Sequence, residues 1–391
     1  MGNIMIFKHT PSPIISHHGV QPKHNKEFMI LSALGILFVI DDHTGESIGA
    51  FTQIFPYDSF YMPMFVFISG YFFSDKHCQT WGSFLQFIKR KITTTILPFL
   101  FWVLFYGILT TIFQIFNIFE IGKTDPRDLL YNLLTSGGSF SFNDSAWFVP
   151  LLFGVIISYC LLRRVFLNHW NDYAAMILLA ILGAASAYLA HIGYITPILY
   201  MVYKVSFFLQ FYQLAVLFRN KLEAKFDRFS TLSVCLVCAI SNLLLLAIYG
   251  DSIQFPLCAT MRGFQSNNPF LPLITSITGI AFWLKISKCL VPVLGNSPVV
   301  NFISSHTAFL MTHHLLVKHI FIGILILLRN CGMTLFAGIN TAEYRTSAWY
   351  VYSDHAWCVI ACFLFTVSLC VALCYCWESF KSKLCIKKQL L

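Results

Sequence analysis

The chain has 391 residues, of which 57% are hydrophobic and only 11% are charged. A typical soluble domain carries about 25% charged residues, because polar side chains have to cover its surface. The composition therefore excludes a soluble enzyme, a disordered chain and a disulfide-stapled secreted module. The net charge of +9 does not indicate nucleic-acid binding, because the basic residues form short clusters between long apolar runs. These features predict a polytopic membrane protein.

The apolar runs predict an all-α transmembrane bundle of about ten spans, since a spanning helix needs about 20 mostly apolar residues. The first span crosses the bilayer only if its helix continues through Asp41, Asp42 and His43. The ninth is too long for one straight helix and carries Lys318 and His319, so we expect it to break or to emerge early. The predicted spans are 27–46, 57–73, 92–117, 145–162, 173–191, 198–218, 230–249, 269–286, 298–328 and 355–376.

The distribution of basic residues predicts the orientation of this bundle. If the N-terminus is cytoplasmic and the spans alternate, 19 of the 26 Lys and Arg residues lie on the cytoplasmic side. Cytoplasmic loops of membrane proteins carry such an excess. We therefore expect both termini in the cytoplasm and a multi-pass protein of the cell inner (cytoplasmic) membrane. The chain then divides into an N-terminal tail (1–25), a transmembrane domain (26–376) and a basic tail (377–391).

The most prominent ionisable cluster is Asp41-Asp42-His43, because a charged side chain in the bilayer centre costs at least ~2.5 kcal/mol. At 1.5 Å per residue, His43 lies about 25 Å along the helix axis from Lys26. Glu46 follows three residues later and, in this interpretation, orients the imidazole or raises its basicity. His43 would then act as a general base on a hydroxyl. The alternative is an extracytoplasmic helix end whose acids and histidine are simply solvated.

A second cluster, His306, His313 and His314, lies in the ninth span. His306 and His313 are seven residues apart and would share a helical face, whereas His314 points about 100° away. A zinc site needs further ligands and a closed polar shell, and this span contains no acidic residue. We therefore predict no metal and assign these histidines to a polar cavity or to packing. Most of the 13 cysteines lie in apolar runs, where cysteine behaves as a small hydrophobe.

Two further residues are candidates with simpler alternatives. Trp147 begins the fourth span after Asn143-Asp-Ser145, where a tryptophan is ordinarily an interfacial anchor. Arg262 lies in a predicted outer segment, where it is either solvated or able to hold a phosphate or a carboxylate.

Several motifs follow one another over nearly the whole chain. They are Asp42-His43 with Tyr57-Asp-Ser-Phe-Tyr-Met-Pro-Met-Phe-Val-Phe-Ile-Ser-Gly-Tyr-Phe72, Lys89-Arg-Lys91 with Leu97-Pro-Phe99 and Trp102, Ser145-Ala-Trp-Phe-Val-Pro150, and Gly295-Asn-Ser297 with Ser305-His-Thr307 and Met311-Thr-His-His314. In this order and spacing, from about residue 24 to 376, the chain resembles the acyltransferase 3 family of membrane acyltransferases.

The resemblance implies O-acylation, usually O-acetylation, of a cell-envelope or exopolysaccharide sugar. It also implies acetyl-CoA as a donor on the cytoplasmic side, with no bound cofactor, and a glycan or lipid-linked sugar as the acceptor. The first-helix histidine of the family corresponds to His43, and its late-helix histidine to His313 or His314. Arg262 falls where related polysaccharide acetyltransferases carry an arginine before an Asn-Pro run.

The chain departs from the family pattern at two positions. Members commonly have Arg or Lys eleven residues before the first-helix histidine, and here that residue is Ser32. The residue before the histidine is often Gly, and here it is Asp42. If the missing cation normally holds the donor, another basic residue has to do so. The candidates are Lys26, Lys89, Arg90 and Lys91.

The predicted reaction is acyl transfer in which His43 deprotonates a sugar hydroxyl or carries the acyl group briefly, while Asp42 or Glu46 orients the ring. In this reading Trp147 and a late-helix histidine line the cavity, and basic residues such as Lys89 and Arg90 hold the coenzyme A phosphates. The list of predicted substrate-binding residues is Trp147, Arg262, His313, His314, Lys89 and Arg90.

Two other classes of membrane protein are alternatives. A transporter or flippase for a lipid-linked glycan would often show inverted repeats, which this sequence lacks. A glycan polymerase or ligase would have large outer loops rich in arginine, and few arginines lie on the predicted outer side. Dependence on acetyl-CoA separates the acyltransferase from both.

Overall fold

The computed structural model describes residues 25–49, 52–120, 140–167, 170–194, 196–249 and 268–389. Within these ranges the chain forms helices and connecting loops, with no β-strand. The predicted all-α fold is confirmed. Its physical basis is that a helix satisfies all backbone hydrogen bonds internally, as a lipid environment requires. Arg262 lies outside the described residues.

The helices are numbered in chain order. The first eight are α1 (Lys26–Thr44), α2 (Tyr57–Tyr71), α3 (Trp81–Lys91), α4 (Leu97–Ile115), α5 (Phe148–Val165), α6 (Asp172–His191), α7 (Pro197–Leu217) and α8 (Glu223–Arg228). The others are α9 (Thr231–Tyr249), α10 (Leu271–Leu294), α11 (Pro298–Ser305), α12 (Thr307–Asn330), α13 (Thr341–Thr346) and α14 (Ala356–Gln389). Single π-helical turns join α3 to α4 and α7 to α8.

Helices stand at all ten predicted span positions, and eight of them are long and apolar enough to cross a membrane. The protein is therefore a multi-pass membrane protein. The eight are Trp81–Ile115, Ser141–Val165, Asp172–His191, Ile198–Arg228, Thr231–Tyr249, Leu271–Leu294, Thr307–Asn330 and Ala356–Lys383. The helices α1 and α2 do not meet these criteria, so the count of ten spans and the cytoplasmic termini stay predictions. The last helix continues past residue 376 to Gln389 without a break.

The helix α1 lies inside the bundle, with Leu31, Ile36, Val39 and Ile40 fully buried. It packs against α2, α10, α11, α12 and α14. A helix that is surrounded by protein does not have to present an apolar surface to lipid on every side. This position explains how α1 can carry Asp41, Asp42 and His43 at its end.

The ninth predicted span breaks, as expected, but the break is at His306. This residue has non-helical φ and ψ values of −123° and 23° and separates α11 from α12. The Ser304 and Ser305 hydroxyls donate to the Asn301 carbonyl at 3.0 and 2.7 Å, a side-chain bond that competes with regular helix. His306 lies directly before α12, and its carbonyl accepts from the Leu310 N–H at 3.1 Å, so the shared face of His306 and His313 stays a prediction.

The helix α1 and the segment formed by α11 and α12 run side by side in the same direction. At one end, Lys26 Nζ donates to Asn296 Oδ1 at 2.5 Å. At the other end, His43 Nδ1 lies 2.8 Å from His314 Nε2. The two contacts are about 25 Å apart along α1 and a similar distance apart along the segment formed by α11 and α12. This parallel packing brings together two histidines that are 271 residues apart.

The close approach of α2 and α7 predicts a large effect of one substitution. A Cβ added at Gly70 would lie 2.5 Å from the Tyr212 carbonyl oxygen, so Gly70→Ala forces the backbones apart. We expect a loss of about 1–3 kcal/mol of stability, measured as a lower melting temperature in detergent. Gly82→Ala is the control, because its nearest neighbour, Thr80 Oγ1, would be 3.8 Å away. Equal melting temperatures for the two variants would contradict the close packing.

Candidate active site

The centre of the candidate site is the pair His43 and His314. His43 Nδ1 and His314 Nε2 are 2.8 Å apart, a hydrogen bond between the last turn of α1 and the middle of α12. The two rings are nearly parallel, with centroids 4.9 Å apart. His314 is fully buried, whereas 13% of the His43 side chain is exposed. A ligand can therefore reach His43 and not His314.

Hydrogen-bond partners determine which nitrogen atoms carry protons. His314 Nδ1 lies 2.8 Å from the Met311 carbonyl and 3.2 Å from the Leu310 carbonyl. Carbonyl oxygens only accept, so this nitrogen must be the donor. A neutral His314 with its proton on Nδ1 accepts through Nε2 from His43 Nδ1–H, and a neutral His43 in this pair has its lone pair on Nε2.

The free nitrogen of His43 faces a polar, partly open side of the site. Asp42 Oδ2 lies 3.8 Å from His43 Nε2. The Trp349 ring, from the loop between α13 and α14, lies 5.0 Å from the His43 ring and is itself 46% exposed. A basic nitrogen beside a carboxylate and under an aromatic ring can take a proton from a bound hydroxyl.

The two aspartates before His43 have different surroundings. The Tyr61 hydroxyl donates to Asp58 Oδ1 at 2.5 Å and lies 3.2 Å from Asp42 Oδ2, so α2 holds the Asp42 carboxylate near the imidazole. Asp41 is fully buried and accepts from Tyr57 Oη at 2.8 Å and from the Ile48 backbone N–H at 3.0 Å. Asp41 therefore anchors the loop after α1, whereas Asp42 belongs to the candidate site.

Glu46 does not stand one helical turn from His43. The helix ends at Thr44, and Gly45 follows in the left-handed conformation with φ of 108°. Glu46 has a positive φ of 57° and is exposed. The expected continuation of the helix to residue 46 is therefore corrected, and the ring of His43 is oriented by His314. Any part of Glu46 in the chemistry stays a prediction.

The neighbouring histidine, His313, points in another direction. Its Nδ1 forms a 2.8 Å hydrogen bond with the Tyr106 hydroxyl of α4, and Trp102 packs edge-on at 4.3 Å between ring centroids. Sequence alone left His313 and His314 as alternatives for the late-helix histidine. In the structure, His314 is the one that contacts His43.

Trp147 packs against Lys204 of α7, and its predicted place in the cavity stays a prediction. Its ring is 3.9 Å from Lys204 Nζ, a cation–π contact. The part of the same motif that reaches the histidine pair is Ser145, whose hydroxyl donates to the Met311 carbonyl at 2.7 Å. The same carbonyl accepts from His314, so Ser145 supports the position of His314, a role that the sequence did not predict.

The basic residues Lys89 and Arg90 are exposed at the end of α3, away from the histidine pair. Arg90 Nη2 donates to His77 Nε2 at 3.4 Å. Partial burial and, next, the charges of Arg90 and Lys91 lower the pKa of His77. Arg90 is separated from Tyr106, which contacts His313, by about 24 Å along the helix axis.

Two residues near the pair carried no predicted role. Lys318 is fully buried, and its Nζ has no hydrogen-bond partner in the part of the chain that the structure describes. A lysine inside an apolar span is a signal of function, and here it lies one turn beyond His314. The position of Trp349 beside His43 could not be predicted from the sequence, because no residue spacing links a tryptophan in a distant loop to α1.

The chain was compared with known proteins. The acyltransferase 3 family model, described as an acyltransferase domain, matches residues 25–375, which is nearly the whole chain. A search of curated proteins and a search of solved structures found no match.

Proposed function

Because the chain belongs to the acyltransferase 3 family and is a membrane acyltransferase, we propose that it transfers an acetyl group from acetyl-CoA to a hydroxyl of a cell-envelope or exopolysaccharide sugar. The proposed location is the cytoplasmic (inner) membrane. The observation that supports this reaction is the 2.8 Å hydrogen bond between His43 Nδ1 and His314 Nε2, from which we infer that His43 Nε2 is the free basic nitrogen. A sugar hydroxyl needs such a base to attack a thioester.

In the proposed reaction, His43 Nε2 takes the proton of the sugar hydroxyl while that oxygen attacks the thioester carbonyl carbon. The tetrahedral intermediate collapses, the carbon–sulfur bond breaks, and the coenzyme A thiolate leaves. The imidazolium then gives its proton to this thiolate, which restores the neutral histidine. His314 keeps the ring in the tautomer whose lone pair faces the substrate, and Asp42, 3.8 Å from Nε2, favours the transient positive charge.

Lys318 is the proposed source of positive charge for the intermediate. A buried ammonium without a partner is costly and favours any negative charge that forms nearby. We assign it the stabilisation of the oxyanion, and its charge also favours a neutral His314 before the reaction.

This assignment predicts opposite effects of Lys318→Met on stability and on activity. Methionine has a similar shape and no charge, so the melting temperature is expected to stay the same or rise, since an unpaired buried charge is removed. Acetyl transfer is expected to fall by about 10²-fold, the size of effect seen when an oxyanion donor is removed. A melting curve and an initial rate on the same preparation measure both. A stabilised variant with undiminished activity would exclude Lys318 from the reaction.

The basic residues Lys89 and Arg90 are the proposed binding site for the phosphates of the donor. They lie on the predicted cytoplasmic side, and the pantetheine arm would extend from there along α4 towards the histidine pair. Charge-assisted hydrogen bonds to phosphate are among the stronger polar contacts.

The double variant Lys89→Ala with Arg90→Ala is expected to raise the KM for acetyl-CoA about 10-fold or more, with a smaller change in kcat. The reason is that these side chains would bind the donor far from the reacting atoms. Lys221→Ala is the matched control, because Lys221 is also an exposed basic residue on the predicted cytoplasmic side. A fall in kcat at unchanged KM would place the donor elsewhere.

The experiment that tests the proposed function follows labelled acetyl from acetyl-CoA into membrane-associated glycan. Membranes that contain the protein are compared with membranes that lack it, and mild alkali should release the label, because an O-acetyl ester is labile to base. Transport of a glycan without acetylation would support the flippase alternative. Normal expression without any labelled glycan would contradict the proposal.

A further inference from the structure

A second cluster of ligand-type side chains lies outside the candidate active site. It consists of His306 at the break between α11 and α12, and Cys374 and Glu378 on α14. Cys374 and Glu378 are four residues apart, so they lie on one face of α14. One ligand atom from each of the three residues lies within 4.8 Å of the others. Cys374 is fully buried, and Glu378 is partly exposed at the edge of the cluster.

The ring of His306 is held in the orientation that a metal ligand needs. Its Nδ1 lies 2.7 Å from the Phe302 carbonyl, which only accepts, so Nδ1 carries the proton. Its Nε2 faces Glu378 Oε1 at 3.8 Å. The Phe302 ring packs on the imidazole with centroids 4.3 Å apart. Histidines that bind metals usually donate their other ring nitrogen to a carbonyl or carboxylate in this way.

The lone pair of His306 Nε2 and the carboxylate of Glu378 face each other across 3.8 Å, so a cation between the two atoms could bind both. Lys381 Nζ already pairs with Glu378 Oε1 at 2.5 Å, but Lys381 is 44% exposed and can move into water.

We propose that His306, Cys374 and Glu378 bind one zinc ion. Imidazole nitrogen, thiolate sulfur and carboxylate oxygen are the three ligand types that zinc takes. Ligands of one tetrahedral zinc lie roughly 3.3–3.8 Å apart, and the three ligand atoms here lie within 4.8 Å of one another, so small side-chain rotations would close the site. On binding, the Cys374 thiol loses its proton to water, and a water molecule completes the coordination.

The zinc ion would connect the helix break to α14. His306 precedes His314 by about 12 Å of helix, so the ion does not take part in acyl transfer. It would hold α12 against α14 and thereby keep His314 in position beside His43. The proposed role is therefore structural, and zinc binding can be tested separately from acyl transfer.

The test uses the full-length protein, purified in detergent without a histidine tag. Metal content is measured by mass spectrometry, and cobalt titration is followed by absorption, because a cobalt–thiolate bond gives a charge-transfer band. We expect about one equivalent of zinc and a thiolate band with the wild type. In the variants His306→Ala, Cys374→Ser and Glu378→Gln, we expect zinc affinity to fall at least about 10-fold, as loss of even an outer-shell group can cause.

Cys376→Ser is the matched control, since Cys376 is exposed on the same helix and lies outside the cluster. It should keep the zinc and the thiolate band. Lys381→Met separates zinc from a simple ion-pair cluster. It should leave zinc affinity unchanged or raise it, whereas an ion-pair cluster would only lose stability. Wild-type protein without metal and without a thiolate band, or equal behaviour of Cys374→Ser and Cys376→Ser, would overturn the proposal.

Discussion

His43→Ala is expected to lower kcat/KM for acetyl transfer by about 10²–10⁴-fold, the usual contribution of a general base. The reason is that His43 Nε2 is the accessible base in the proposed reaction, whereas His314 is fully buried. Initial rates of labelled acetyl transfer at several donor concentrations measure the change.

His43→Gln is a companion variant that keeps a polar side chain and removes the base, so it tests chemistry with less risk to the fold. His355→Ala is the control, because His355 lies in the loop before α14 and packs near Trp357, with ring centroids 6.2 Å apart. Full activity of both His43 variants, with protein present at the normal level, would mean that another group removes the proton.

His314→Leu is expected to lower kcat by about 10²-fold or more and to leave the KM for acetyl-CoA nearly unchanged. Without the acceptor at His314 Nε2, nothing holds the proton on His43 Nδ1, and the ring spends part of its time in the wrong tautomer. In serine proteases, loss of the residue that orients the catalytic histidine has an effect of this kind. His314 is therefore a positioning residue.

His314→Gln distinguishes positioning from mere packing, because the Gln carbonyl oxygen can accept from His43 Nδ1–H. We expect His314→Gln to recover part of the kcat that His314→Leu loses. His313→Leu is the matched control, since the adjacent histidine bonds to Tyr106 and not to His43. An equal loss in His313→Leu and His314→Leu would show that general disruption of α12, and not the tautomer, causes the effect.

Much of the fold was open to prediction because transmembrane helices follow from local composition. Each apolar run of sufficient length became a helix, and the excess length of the ninth run led to the prediction of a break. The place of that break was not predictable. It depends on Ser304 and Ser305, whose hydroxyls bond to the Asn301 carbonyl, and serine tolerates both helical and non-helical surroundings.

Part of the candidate site was predicted from the sequence, and the prediction for Glu46 was wrong because it assumed a continuous helix. Asp42 and His43 were recognised because charged groups near a bilayer are costly, and the same reasoning applied to α12 drew attention to His313 and His314. The proposed i+3 relation of Glu46 to His43 failed because Gly45 ends α1 in a left-handed conformation. Helical spacing is informative only as far as the helix continues.

The sequence alone determined that this is an all-helical membrane protein of the acyltransferase 3 family and that its first helix ends in an acidic pair and a histidine. Those properties reside in composition, local periodicity and ordered motifs. Only the tertiary structure decided that His314 contacts His43, that Lys318 is buried without a partner among the described residues, and that Trp349 packs on His43. The physical reason is that these contacts depend on how α1 packs beside α11 and α12, and on the break at His306 that separates those two helices. Neither this packing nor the direction in which the side chains of α12 point after the break follows from the spacing of residues within a single helix.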